Sequence, residues 1–129
     1  MMKLFKRNLC IALFFMLLGW NYAKAQAKND SIVNFEILHP EKFYLIDVRT
    51  PEEYKEGHLP EAENINLFAS NFLASFDSIA KNDTIYVYCK TGIRGGKAKQ
   101  KLDSLGYKHV VNLLGGFKAW EEEGKAVVK

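Results

Sequence analysis

Short apolar runs rich in β-branched and aromatic residues recur along this chain, and such runs are typical of buried strands. They lie at Phe43–Val48, Ile85–Tyr88 and Val110–Leu113, with a weaker run at Asn64–Leu67. Helical patterns lie between them. This alternation predicts an α/β fold built on a parallel sheet with crossover helices.

The residues after the first run carry the signals of a helix start. Thr50 is a candidate N-cap, Pro51 follows at the first helical position, and Glu53 occupies the capping-box position. Gly57 is placed to end the helix. We therefore expect a short helix between Thr50 and Gly57.

Two further apolar stripes recur at helical spacing and predict helices. The first comprises Phe72, Phe76 and Ile79, with Leu73 and Ala80 beside them. The second comprises Ala98, Leu102 and Leu105, with Gly106 placed as a C-terminal cap. The neighbouring lysines lie mainly off the second stripe, so we expect them on a solvated face: Lys97, Lys99 and Lys101.

The first 25 residues have the composition of a secretory signal peptide. Three basic residues open the chain, Leu9–Leu18 is an unbroken apolar run, and Ala23 and Ala25 supply small residues around a cleavage point. The run is well short of the roughly 20 residues that span a bilayer. We expect cleavage after Ala25, and a retained membrane anchor is the alternative. The sequence thus predicts a signal peptide over 1–25, one domain over 26–129, and a periplasmic or secreted protein with no stable membrane insertion after cleavage.

Removal of the signal changes the charge of the chain. Four of the 18 basic residues precede Gln26 and all 15 acidic residues follow it, so the predicted mature chain has 14 basic residues and a formal charge of −1. Nucleic-acid-binding domains are usually strongly basic, and this balance argues against that role. The polar stretch from Gln26 to Ser31 is expected to be frayed.

Cys10 leaves with the signal, and Cys89 is then the only cysteine. Exported compartments favour disulfides, so an unpaired thiol there is either buried or used. Composition alone favours a buried, inert core cysteine. The residues around Cys89 decide between the two readings.

Those residues favour a reactive thiolate. Cys89 comes at the carboxyl end of a predicted strand and just before a helix, which is the edge where α/β sheets bind ligands. A loop that enters a helix N-terminus points backbone N–H groups inward and stabilises a thiolate. Lys90 and Arg94 add positive charge, and three nearby glycines let the backbone curve around a large anionic atom. The sequence predicts an anion-holding loop whose nucleophile is Cys89.

Three blocks of sequence resemble the signatures of the rhodanese family and together cover nearly the whole predicted mature chain. The first runs from Leu45 to Tyr54 and continues with Gly57–Pro60 and Ala62; the second is the loop Cys89–Arg94; the third is Val111–Phe117 with Trp120. This resemblance implies a rhodanese-like fold, in which a central parallel sheet of about five strands is flanked by helices on both faces.

The resemblance also implies a single-domain sulfurtransferase. Cys89 would attack a sulfur donor and hold the transferred sulfur as a persulfide, and Arg94 would hold an anionic donor. The rest of the loop would supply the backbone cradle: Lys90, Thr91, Gly92 and Ile93. Asp47 and Arg49 look like the family's buried pair that braces the site, and a salt bridge without contact to substrate is an equal alternative.

The expected partners follow from the same resemblance. The donor would be thiosulfate, polysulfide or a persulfide, and the acceptor would be a thiol or cyanide. We expect a monomer without a cofactor. A persulfide carrier that does not turn over small donors is the alternative from another functional class.

The sequence also departs from the family pattern. Lys90 stands where sulfurtransferases often carry Arg, Glu61 stands where Gly is usual, and Gly95–Gly96 replaces a small polar stretch. Four residues separate Cys89 from Arg94, one fewer than in the related cysteine phosphatases. A phosphatase or arsenate reductase is therefore the less favoured alternative.

The remaining candidates for chemistry have weaker support. His39, His58 and His109 lack metal-ligand spacing, so no metal site is predicted. We expect His58 to make structural hydrogen bonds. Phe117 and Trp120 are interpreted as core anchors.

Overall fold

A computed structural model describes residues 29–35 and 42–129, which contain a five-stranded parallel sheet with strand order β1-β5-β4-β2-β3. The strands are β1 (Asn29–Ser31), β2 (Phe43–Asp47), β3 (Glu63–Asn64), β4 (Thr84–Tyr88) and β5 (His109–Leu114). The helices are α1 (Pro51–Glu56), α2 (Ile93–Ser104) and α3 (Gly116–Glu122), with 3₁₀ turns at Ile32–Asn34 and Ala74–Phe76. The predicted signal peptide and His39 lie outside the described residues.

The core is divided between the two faces of the sheet. Successive strand residues point to opposite faces, and neighbours such as Leu45 and Ile46 accordingly join different buried clusters. One cluster contains the buried face of α2 and the segment before β4. The other contains Trp120 of α3 and Ile32 near the start of the described chain. This arrangement confirms the predicted α/β fold with helices on both faces.

Strand β1 corrects the expectation of a frayed start, because Asn29–Ser31 pairs in parallel with the end of β5. The partners run from Asn29 with Asn112 to Ser31 with Leu114. An edge strand gains its stability from backbone hydrogen bonds and can do without an apolar side-chain pattern. The buried anchor lies just beyond it, at Ile32.

The segment between β3 and β4 also differs from the prediction, since the stripe that begins at Phe72 forms turns and one 3₁₀ turn instead of an α-helix. Its apolar side chains still reach the core, and Phe72, Phe76 and Ile79 are buried. Ser and Asn side chains compete for backbone groups and favour turns; here the Ser75 hydroxyl donates to the Asn71 carbonyl at 3.0 Å. The apolar spacing therefore predicted the buried side chains correctly, but the prediction of an α-helix was wrong.

Helix α2 departs from its predicted faces in two places. Ala98 and Leu102 are buried, but Leu105 is 43% exposed because the helix ends there and Gly106 turns the chain with a φ of +90°. Lys99, expected on a solvated face, is buried along its stem. Its ammonium emerges to donate to Asp103 at 2.6 Å. A long lysine stem packs on apolar surface while its charge reaches a partner.

The end of β2 and the end of β4 lie side by side. Asp47 pairs with Tyr88 in the register of the sheet, and the Val48 amide donates to the Tyr88 carbonyl at 2.9 Å. The residues that follow these strands, Arg49 and Cys89, therefore lie at the same edge of the sheet.

The strand predicted from the weak run Asn64–Leu67 is shorter than expected, because β3 contains only Asn64 of that run.

No helix within residues 29–35 and 42–129 is long and apolar enough to cross a membrane.

Glu61 adopts a left-handed φ of +68°. A residue with a Cβ is destabilised by about 1–2 kcal/mol in that conformation, so the glycine that the resemblance implies at this position would relieve the strain.

Candidate active site

Cys89 follows β4 directly and lies at the base of the loop that leads into α2. The residue is only 1% exposed, and its Sγ accepts a hydrogen bond from the Gly92 amide at 3.0 Å. Gly92 reaches that position with a φ of +127°, which is open to glycine and strained for other residues. The sulfur thus faces a backbone donor instead of sitting in a purely apolar pocket, and that donor can support a negative charge on sulfur.

Helix α3 holds the loop from behind. The Phe117 amide donates to the Cys89 carbonyl at 2.8 Å, and the Lys118 amide donates to the Lys90 carbonyl at 3.0 Å. A trans peptide points its C=O and N–H in opposite directions. The amides of Lys90 and Thr91 therefore point away from α3, as a backbone cradle requires.

Gly116 makes this contact possible. A Cβ on Gly116 would lie 2.5 Å from the carbonyl oxygens of both Cys89 and Lys90, and its φ is +61°. We expect Gly116→Ala to displace the loop and to slow alkylation of Cys89 about tenfold, in addition to a strain cost of about 1–3 kcal/mol. Alkylation kinetics and thermal melting measure the two effects.

The matched control is Gly124→Ala, because Gly124 has a similar φ of +67° with nothing within 4 Å of its would-be Cβ. Gly124→Ala therefore has a similar backbone strain but no steric clash with the loop carbonyls. Equal alkylation rates in the two variants would show that the loop does not depend on the close approach of Gly116.

Asn112 supports the loop from β5. Its amide Nδ2 donates to the Gly92 carbonyl at 3.0 Å, and the side chain is buried. A Cβ at Gly95 would overlap the Asn112 Oδ1 atom. The first glycine of the unusual Gly95–Gly96 pair is therefore required by the packing of Asn112.

Arg94 closes the loop and is held by Glu53 of α1. The guanidinium makes two parallel hydrogen bonds, Nη1 to Oε1 at 2.6 Å and Nη2 to Oε2 at 2.9 Å. The hydrogen bonds and charge of Arg94, aided by Thr50, lower the pKa of Glu53 to about 2 against the opposing effect of partial burial. The resemblance to the rhodanese family implies that Arg94 holds a donor anion, and in the structure its guanidinium already has an anionic partner.

This ion pair should make stability depend on pH. The pKa of the Glu53 carboxyl is lowered from 4.5 to about 2 in the folded chain, so its contribution is fully present above about pH 4.5 and is lost as the pH falls towards 2. We expect about 1 kcal/mol, since both side chains are partly exposed and solvent screens the pair. The difference in melting temperature between wild type and Glu53→Gln should shrink over that window, and a constant difference would contradict this.

Asp47 and Arg49 form a second ion pair, which is deeply buried. Arg49 Nη2 lies 2.7 Å from Asp47 Oδ2, and the same nitrogen donates to the Gly57 carbonyl at 2.6 Å. The Arg49 guanidinium also lies 4.3 Å from the centre of the Phe117 ring. Because the Phe117 amide binds the Cys89 carbonyl, these contacts connect the pair to the loop. Burial and the nearby Asp47 carboxylate raise the pKa of Tyr88.

A cavity of about 280 Å³ lies beside the loop. Its walls carry both signs of charge and are formed by Arg49, Glu53, Glu56, Lys90, Phe117, Lys118 and Glu121. Lys90, Thr91 and Ile93 are exposed, whereas Cys89 is buried at the base. The sulfur is therefore suited to a donor that presents a small terminal atom.

Of the other predicted residues, His58 and Trp120 make the contacts that the sequence indicated, whereas Phe117 is less buried than a core anchor. The Nδ1 atom of His58 lies 2.8 Å from the Tyr54 carbonyl oxygen, and its ring stacks on the Tyr54 ring at 3.6 Å. Trp120 is buried and donates through Nε1 to the Ala126 carbonyl at 2.8 Å. Phe117 is only half-buried, and one face of its ring is covered by the Arg49 guanidinium. Within the described part of the chain, His, Cys, Asp and Glu side chains form no group of three that could hold a metal ion.

Sequence reasoning missed two contributors to the site. The sequence indicates Glu53 only as a capping residue of α1. Its ion pair with Arg94 depends on how α1 packs beside the loop, since the two residues are 41 positions apart along the chain. Asn112 gave a usable signal, because it is a polar residue inside an otherwise apolar strand. Buried polar side chains usually have partners, so such a residue beside a candidate loop is a candidate support for it.

The chain is similar to several known proteins. It is 40% identical to the Bacillus subtilis protein YqhL over 85 residues, covering 66% of each chain, and thus spans about two thirds of that relative. It is 44% identical to the Escherichia coli thiosulfate sulfurtransferase PspE over 73 residues, covering 57% of this chain and 69% of PspE. A solved structure of an E. coli rhodanese with anions has a TM-score of 0.57 at 39% identity, covering 68% of this chain and 99% of that one.

The rhodanese-like domain family matches residues 23–123, which include β1 to β5, the Cys89 loop and α3. The match extends over most of the chain, and the five-stranded parallel sheet with helices on both faces agrees with it. This chain therefore belongs to the rhodanese-like family.

Proposed function

We propose that this protein is a sulfurtransferase that accepts sulfane sulfur as a persulfide on Cys89 and passes it to a thiophilic acceptor. The observation that carries the proposal is the Gly92 amide 3.0 Å from Sγ, in a loop whose carbonyls are held by α3. The similarity to PspE, a thiosulfate sulfurtransferase, supports the same reaction class.

The reaction has two balanced steps. In the first, the Cys89 thiolate attacks the outer sulfur of thiosulfate, an S–S bond forms to Cys89, and the donor S–S bond breaks as sulfite leaves with the electron pair. In the second, an acceptor such as cyanide attacks the outer sulfur of the persulfide, and the Cys89 thiolate is released. The loop amides and Lys90 support the negative charge on sulfur in both states.

Steady-state transfer from thiosulfate to cyanide tests this proposal, with thiocyanate as the measured product. We expect turnover that requires Cys89. Formation of a persulfide without turnover for any small donor would instead identify a carrier module. Hydrolysis of an aryl phosphate or reduction of arsenate, without sulfur transfer, would identify the phosphatase-like alternative.

We also propose that the protein is exported and acts in the periplasm or outside the cell. The support is the basic start, the short apolar run and the small residues around Ala25. Intact-mass analysis of the exported fraction should give a chain that begins at Gln26, with allowance for cyclisation of that residue. Recovery of the full-length chain from membranes would contradict export with cleavage.

A further inference from the structure

The ion pair between Glu53 and Arg94 is held in a fixed geometry at the edge of the active-site loop. Both carboxylate oxygens of Glu53 bind the guanidinium, and the Thr50 hydroxyl donates to Glu53 Oε1 at 3.2 Å. Glu53 lies in the first turn of α1, and its own amide donates to the Thr50 hydroxyl at 3.3 Å. A bidentate pair with a fixed backbone needs little further ordering, so Arg94 is occupied before any donor arrives.

The cavity beside the loop carries no excess positive charge. Arg49 is paired with Asp47, and Arg94 is paired with Glu53. Lys90 and Lys118 also line the cavity and are matched in number by two further glutamates, Glu56 and Glu121. Lys118 in addition pairs with Glu122 at 3.9 Å. A dianion that approaches Cys89 therefore meets a formally balanced surface.

We propose that Glu53 is a specificity-determining residue that acts through Arg94 and directs the site away from dianionic donors and towards low-molecular-weight persulfides. This inference rests on the proposed sulfur transfer. Arg94 freed from Glu53 would offer a planar, bidentate donor set to an oxyanion. With Glu53 in place, a donor that carries its sulfane sulfur on an uncharged or singly charged group loses little electrostatic attraction to the site. Thiosulfate, in contrast, loses the Arg94 guanidinium as its main counter-ion.

The persulfide step needs no component beyond the donor. The Cys89 thiolate attacks the outer sulfur of R–S–SH, a Cys89 S–S bond forms, and the S–S bond of the donor breaks. The departing thiolate takes the proton that the outer sulfur gives up, so the products are a Cys89 persulfide anion and R–SH. The charge on the site is the same before and after the step.

The test compares two donors on the full chain, thiosulfate and 2-hydroxyethyl persulfide. The measured quantity is the ratio of their second-order rate constants for adding sulfur to Cys89. We expect wild type to react faster with the persulfide. Glu53→Gln should raise the rate constant for thiosulfate, relative to that for the persulfide, about tenfold, which corresponds to one charge-assisted hydrogen bond. The gain should appear as a lower KM for thiosulfate, and it should disappear in the double variant Glu53→Gln with Arg94→Gln.

The matched control is Glu56→Gln, which removes a negative charge from the same cavity without releasing Arg94. A second variant, Glu53→Ala, covers the possibility that Gln keeps its hold on the guanidinium. An unchanged donor ratio in both Glu53 variants, or an equal shift in Glu56→Gln, would overturn the inference while leaving sulfur transfer intact. Absence of persulfide in wild type with both donors would overturn the proposed function, and this inference with it.

Discussion

Replacement of Cys89 by serine should abolish sulfur transfer from every donor. A serine hydroxyl stays protonated at neutral pH, and its oxygen cannot hold the transferred sulfur as a persulfide. The Gly92 amide that now donates to Sγ at 3.0 Å could donate to the hydroxyl instead, so the loop should keep its shape. Thiocyanate production measures sulfur transfer, and the melting temperature shows separately whether the fold is kept.

The expected outcome for Cys89→Ser is loss of activity with a melting temperature within a few degrees of wild type. Activity that persists in a folded Cys89→Ser protein would exclude Cys89 as the nucleophile. Loss of both activity and folding would be resolved with Cys89→Ala, because this side chain occupies the same buried position among apolar residues.

Replacement of Asp47 by alanine should lower the free energy of unfolding by about 3–5 kcal/mol, because it leaves a buried arginine without its counter-ion. Asp47 is fully buried and Arg49 is only 3% exposed. The Gly57 carbonyl and the Phe117 ring remain as partners of Arg49, but neither carries a formal charge. Urea unfolding followed by tryptophan fluorescence measures the loss.

Glu122→Ala is the control for this variant, since Glu122 pairs with Lys118 at 3.9 Å and both side chains are exposed. Exposed pairs contribute about 0–1 kcal/mol, so this change should be small. Similar losses in the two variants would contradict the structural role of the buried pair. We also expect Asp47→Ala to lower activity, because Arg49 contacts Phe117 and the Phe117 amide supports the Cys89 carbonyl.

The parts of the fold that the sequence predicted well are those whose burial leaves a pattern along the chain. Strands β2, β4 and β5 are buried on both faces and appear as apolar runs. The Thr50 cap is equally local, and its hydroxyl accepts from the Glu53 amide as expected. Strand β1 left no such pattern, because an edge strand of Asn, Asp and Ser is stabilised by its backbone pairing with β5.

The candidate site shows the same division. The nucleophile and its cradle could be proposed from Cys89 and the glycines that follow it, since strand end, loop and helix start are adjacent in the sequence. The ion pair between Arg94 and Glu53 could not be predicted, because it depends on how α1 packs beside the loop. The support that α3 gives to the Cys89 carbonyl likewise depends on a contact between distant segments.

In the proposed function, Cys89 itself carries the transferred sulfur. The most direct test is mass spectrometry of the Cys89 peptide after the purified protein is exposed to thiosulfate and, separately, to a low-molecular-weight persulfide. We expect one added sulfur on Cys89, its removal by a thiol acceptor, and no addition in Cys89→Ser. An unmodified Cys89 with every donor, in a folded protein whose thiol still reacts with an alkylating agent, would contradict the claim.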